Sequence, residues 1–84
     1  MAHETIDTGI EMIAHFTGKT INPIRFLWSK RAYKIKKIKH RWVERQGQIK
    51  LVHFTVEVDT SDVVEIIFNN ETFEWKLKTV QYPG

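Results

Sequence analysis

Near its C-terminal end the chain runs Phe73-Glu74-Trp75-Lys76-Leu77-Lys78, apolar and charged residues in strict alternation. Successive side chains of a strand point to opposite faces, so this run forms a strand with one face in a core and one in water. The same period of two recurs upstream. Ile49–Val58 sets Lys50, Val52, Phe54, Val56 and Val58 in one parity. Val63–Phe68 is rich in β-branched residues and apolar on both faces except at Glu65, which marks a central strand. Turn residues separate these runs: Asn22-Pro23, Ser29-Lys30, Arg45-Gln46-Gly47-Gln48, Asp59-Thr60-Ser61-Asp62 and Asn69-Asn70. Asn22-Pro23 opens a strand carrying Phe26 and Trp28, and Asn69-Asn70 suits a two-residue primed hairpin turn.

Two stretches are less regular. Ile6, Ile10 and Ile13 fit helical spacing, with Thr8 and Glu11 resembling a capping box. Yet Met12, Ala14 and Phe16 alternate as in a strand, and Thr17-Gly18-Lys19 supplies a turn, so the strand is preferred over the helix. The segment Arg31–Glu44 is the longest element. Tyr33 and Ile35 share one parity, while Ile38, His40 and Trp42 share the other. One extra residue at Lys36-Lys37 brings all five to one side, the signature of a β-bulge that bends the strand. Long bent strands that serve two sheets are how small barrels turn their corners.

The expected fold is therefore all-β: a small SH3-like (alternatively OB-like) antiparallel barrel of five or six strands. Closure removes the exposed edges a flat sheet would leave. Residues 10–80 form the domain, the polar residues 1–9 are expected to fray as a flexible N-terminus, and residues 81–84 form a tail. With 84 residues the core is thin, and no room for an enclosed ligand pocket is expected. The chain has no cysteine, which excludes disulfides and thiolate metal sites and favours a cytoplasmic setting. No basic segment followed by an apolar run reads as a secretion signal, and no apolar run approaches the about 20 residues of a membrane-spanning helix.

Charge is distributed in blocks. Residues 1–24 carry a net of −2, residues 25–50 hold ten Lys or Arg against Glu44, and residues 51–84 carry a net of −4. Either the domain has a two-sided charge surface or the blocks cancel on neighbouring strands. The basic block contains the candidate site. Arg31, Lys34, Lys36, Lys37, Lys39 and Arg41 fall within eleven residues. On a strand, alternate residues repeat at about 6.6 Å, close to the phosphate spacing of an extended single strand. Such cations bind by releasing counterions, without reading bases. Trp42 and Arg45 follow directly. Trp42, at the end of the strand beside a loop, is the aromatic expected to be partly exposed and the one placed to stack on a base. The competing explanation is an edge guarded by lysines against aggregation. The partner is single-stranded or double-stranded nucleic acid, or alternatively an acidic protein or a second copy of the chain.

Several residue patterns coincide: Ile10-Glu11-Met12-Ile13, Pro23-x-x-Phe26-x-Trp28, Arg31-x-Tyr33-Lys34-Ile35, Trp42, Thr55-Val56-Glu57, Val64-Glu65-Ile66 and Trp75-Lys76-Leu77. Together they resemble a family of small uncharacterised bacterial domains, some of which accompany DNA-repair polymerases. The matching residues are mostly core aromatics, so the resemblance implies a fold and carries no active site across. The family often has a glycine in the turn after the tryptophan, where this chain has Ser29-Lys30.

No catalytic constellation is legible, and no enzyme activity is expected. Ser29 and Ser61 read as turn residues outside any nucleophile motif. The four glycines are scattered and form no phosphate loop. His3, His15, His40 and His53 lack ligand spacing, so neither a metal nor another cofactor is expected. Asp59 and Asp62 hydrogen-bond locally in their turn.

Overall fold

The computed structural model describes residues 3–82. They form six strands: β1 (His3–Thr17), β2 (Thr20–Trp28), β3 (Arg31–Gln46), β4 (Ile49–Val58), β5 (Val63–Asn69) and β6 (Glu74–Gln81). Each strand pairs antiparallel with its sequence neighbour, and β1 pairs with β6 to close the barrel. The all-β barrel expected from the alternation is thus the observed architecture, with β1 a strand throughout. There is no helix among the described residues, and so none long and apolar enough to cross a membrane.

Two strands turn the corners. The first half of β1 pairs with β6 and the second half with β2. Strand β3 pairs with β2 over Arg31–Lys34 and with β4 from Ile35 onwards. One sheet therefore holds β3, β4, β5, β6 and the start of β1, and the other holds the end of β1, β2 and the start of β3. Their inner faces meet in a core of Phe26, Val52, Phe54, Val56, Val58, Val64, Ile66, Phe68, Trp75, Leu77 and Val80. Every inward residue of β4 after Lys50 belongs to it, as the parity of that strand predicts.

The ends of the chain differ from expectation. Residues 3–9, expected to fray, lie in β1, where His3, Glu4 and Thr5 face Gln81, Val80 and Thr79 of β6; Met1 and Ala2 lie outside the described residues. A polar strand can hold this position because its backbone closes the barrel. Gln81, assigned to the tail, ends β6, and Tyr82 donates a hydrogen bond to Glu4 Oε1 at 2.8 Å. That bond to the carboxylate raises the Tyr82 phenol above its usual pKa of 10.0. Pro83 and Gly84 lie outside the described residues.

The turns show how the sequence meets its geometry. Gly18 and Gly47 take positive φ at the first position of two-residue hairpins, where only glycine does so without strain. The expected primed turn at Asn69-Asn70 is instead a longer turn over Asn70–Phe73. Asn69 Oδ1 accepts from the backbone N–H of Glu71 and Thr72, and its carbonyl accepts from Phe73 at 2.8 Å. Phe73, expected in the last strand, ends this turn at φ 61° and is 72% exposed. The side-chain hydrogen bonds of Asn69 outcompete the ladder there.

The Ser29-Lys30 turn joins β2 to β3 with both residues at positive φ, 53° and 66°. That is the conformation Asn-Gly adopts most readily, and a left-handed residue with a Cβ costs about 1–2 kcal/mol. The double substitution S29N/K30G is expected to stabilise the domain by about 1 kcal/mol after glycine's extra unfolded-state entropy is subtracted. Thermal unfolding should then rise by about 4–8 °C; no rise would mean the turn relaxes without strain.

Candidate functional site

The basic strand β3 does not present one continuous stripe. Ile35 faces Val58 and Lys37 faces Glu57, so Lys36 is an extra residue. That is the expected bulge. A second one follows: Ile38 faces Val56 and His40 faces Thr55, making Lys39 extra as well. Each bulge shifts the inside–outside alternation by one residue. After the second, Arg41 stands opposite Phe54, Val43 opposite Val52 and Arg45 opposite Lys50. Phe54 and Val52 are core residues, so Arg41, Val43 and Arg45 lie on the inner face. His40 and Trp42, expected beside Tyr33 and Ile35 on the inner face, turn outward instead.

The eight candidate residues therefore divide into groups. Arg31 stands opposite Trp28 and its guanidinium lies 4.9 Å over the Tyr33 ring, at the end of the small sheet. Lys34 stands opposite Arg25 on the outer face of that sheet. Lys36, Lys37 and Lys39 lie exposed around the bulges. Arg41 and Arg45 face inward at the far end, and Trp42 faces outward between them. The sequence expectation of Arg41 on the outer lysine face is thereby corrected, because a single bulge would keep it there and two do not.

Charge partners decide how much of this basic block is free. Among the described residues the acids meet other bases: Asp7 meets Lys76 at 3.4 Å, and Glu65 meets His53 and Lys78. Glu44 meets His53 at 2.9 Å. Of the seven Lys and Arg candidates on β3, Lys36 alone has a carboxylate within 4.0 Å, Glu57 at 3.8 Å. The acidic blocks thus cancel the basic one only in part, at Glu57, which stands opposite Lys37 and meets Lys36. Strand β3 from Ile35 to Gln46 also pairs only with β4, and β2 from Thr20 to Ile24 only with β1. Two open edges face each other there, spanned by a hydrogen bond from Arg41 Nη2 to Asn22 Oδ1 at 2.9 Å. Lysines and bulges on an open edge discourage pairing with another chain, so part of this charge serves that purpose. Pro23, which has no N–H to donate, sits on the opposing edge of β2 beside the bulged Ile24.

Trp42 is 42% exposed, partly open as expected, although Phe16 at 54% and Phe73 at 72% are more exposed. Its indole lies parallel to the His53 ring, with centroids 4.9 Å apart and planes at 13°. His53 is only 4% exposed and is the one buried polar residue described. Its Nε2 lies 2.9 Å from Glu44 and its Nδ1 3.4 Å from Glu65. This cluster fixes the orientation of Trp42. Sequence reasoning missed it because the three residues are 9 and 12 positions apart and meet only through the β3–β4 and β4–β5 registers. His15 lies elsewhere, against Thr17 at 3.2 Å.

Where β1 leaves one sheet for the other, an open groove of about 890 Å³ runs past Trp28, Phe68, Phe73 and Trp75. Strand switching opens the corner, so the space lies outside the packed core. Ser29 and Ser61 sit in turns at positive φ. The Asp59–Asp62 turn is held locally, by Thr60 Oγ1 on Asp62 at 2.7 Å and by Ser61 N on the Val58 carbonyl at 2.9 Å.

No protein-family model matches this chain, and comparison with curated proteins and with solved structures gives no significant match either.

Proposed function

We propose that this barrel is a nucleic-acid-binding domain that grips phosphates with β3 and reads no sequence. The observation that carries this reading is the excess positive charge of β3, whose cations are exposed and, apart from Lys36, have no carboxylate within 4.0 Å among the described residues. Two bulges make the spacing of Lys34, Lys37 and Lys39 irregular, which suits a flexible single strand better than the regular spacing of a duplex. Trp42, held against His53 with its other side exposed, offers a stacking platform beside those lysines. The cysteine-free sequence supports a cytoplasmic setting. The role is binding rather than catalysis.

The test is fluorescence anisotropy of labelled single- and double-stranded oligonucleotides at two salt concentrations. Binding is expected to weaken with a log–log slope of about −0.7 for each phosphate contacted on a single strand. The variant K37E/K39E is expected to weaken all sequences alike. A flat titration, or binding indifferent to that double reversal, overturns the proposal.

A second reading, as a protein-interaction module, rests on a different surface. Ile13, Ile24 and Leu27 are exposed on the small sheet, with Ile13 at 55%. Arg25 and Lys34 border them, so an acidic partner with an apolar centre fits. Concentration-dependent sedimentation, or capture of an acidic partner that I13D abolishes, would favour this reading.

A further inference from the structure

A pocket of about 200 Å³ opens between the β1–β2 turn and the inner face of the β3–β4 hairpin. Its floor is apolar: Ile21, Val43 and Val52. Its polar lining is Lys19, Arg41, Lys50 and Asn70, with no acid among the lining residues. None of the three cations has a carboxylate within 4.0 Å among the described residues. A fourth cation stands beside them, since Arg45 lies directly opposite Lys50 on the same face. Like charges placed opposite one another on a sheet repel and destabilise it. An anion in the pocket reverses the sign of that interaction.

Two of the groups are already held in place. The Arg41 guanidinium lies 5.3 Å over the Phe54 ring and donates to Asn22 Oδ1 at 2.9 Å. Asn70 Oδ1 accepts from Lys50 N–H at 3.0 Å, and Asn70 N–H donates to the Lys50 carbonyl at 3.1 Å. With its oxygen engaged, the Asn70 side chain has its NH₂ left to donate. The pocket is thus lined by an arginine, two lysines and an asparagine together with three apolar side chains. Fixed donors of this kind bind oxyanions because little ordering remains to be done on binding.

We propose that this pocket is a binding site for a phosphate monoester dianion. Three cationic residues lining one pocket match a doubly charged terminal phosphate better than the single charge of an internal diester. Resting on the nucleic-acid reading above, the site receives the 5′-phosphate end of a strand held by the exposed lysines at the bulges, which crosses the open edge of β3 to reach Arg41 on the inner face. A free phosphate has the same chemistry and is the other source to distinguish.

The experiment uses the full chain and two 3′-labelled single-stranded oligonucleotides that differ only in a 5′-phosphate or a 5′-hydroxyl. The phosphorylated strand is expected to bind about tenfold more tightly, the equivalent of one charge-assisted hydrogen bond. In Lys50→Gln and Lys19→Gln the ratio should fall towards one; Lys19 is exposed in a turn and serves as the variant that leaves the fold untouched, since Lys50 is half-buried on the inner face. In parallel, inorganic phosphate is titrated and the Lys50 and Asn70 amides followed by NMR, with saturable shifts expected. Equal affinity for the two strands, with no amide shift, overturns the pocket while leaving nucleic-acid binding intact. If neither strand binds but phosphate shifts those amides, the pocket stands with free phosphate as its ligand, and the nucleic-acid reading falls. A preference that survives both lysine substitutions also overturns the assignment.

Discussion

Phe54→Ala is expected to remove about 3–5 kcal/mol of stability and leave the domain largely unfolded near physiological temperature. Phe54 is fully buried in the middle of β4. It packs at 5.8 Å against Trp75, which in turn lies 4.8 Å from Phe68, and the Arg41 guanidinium covers its other side. Truncation therefore opens a cavity at the junction of β4, β5 and β6 and withdraws the support of Arg41 as well. A domain of this size holds on the order of 4–13 kcal/mol in total, so such a loss is most of its margin. Denaturant unfolding followed by tryptophan fluorescence checks it directly. Val43→Ala is the control, because Val43 faces the same side but is half exposed, and it should shift the midpoint far less. A Phe54→Ala variant as stable as the parent would mean that the aromatic cluster is not the centre of this fold.

The second large effect is expected at His53. Substitution by alanine removes the partner of two carboxylates and the surface on which Trp42 rests, and should cost about 2 kcal/mol. The cost is below that of Phe54 because Glu44 and Glu65 are partly exposed and recover hydration. Two further variants separate the contributions. His53→Phe keeps a ring beneath Trp42 and gives up both carboxylate contacts, whereas His53→Gln keeps a polar partner and gives up the ring. If stacking dominates, phenylalanine recovers most of the stability; if the carboxylate contacts dominate, glutamine does. In either case, quenching of Trp42 by iodide should increase in His53→Ala. Unchanged stability and unchanged quenching together would show that the cluster neither holds the hairpin nor orients the indole. The outcome also bears on function, since a loosened Trp42 is a poorer stacking platform.

Much of the fold is legible in the residues. The alternation in β4 and β6 names Val52, Phe54, Val56, Trp75 and Leu77 as inward-facing, and all five are buried. Gly18 and Gly47 mark two hairpins, and the first bulge of β3 follows from the parity mismatch between Ile35 and Ile38. These features are local: a period of two, a turn residue and a parity slip can each be read within a few positions. One signal for the pocket was also in view. Lys50 shares the inward parity of β4, and a lysine in that register marks where the core ends and an opening begins.

The second bulge, at Lys39, was not legible. Ile38, His40 and Trp42 alternate without interruption, and nothing in their identities shows that Thr55 rather than Phe54 is the neighbour of His40. Register between two strands is a property of the pair, set by which core residues must align across the barrel. Here Ile38 and Val56 meet in the core, and Arg41 is drawn over Phe54, so the strand takes up one more residue between them. The convergence of Lys19, Arg41, Lys50 and Asn70 likewise joins three hairpins far apart in the chain. Composition and alternation determined that this protein is a β-barrel with a basic strand; only the tertiary packing decided which of those cations face outward and which gather around a pocket. The reason is that a strand's faces follow from its own residues, while the offset between strands follows from the core they share.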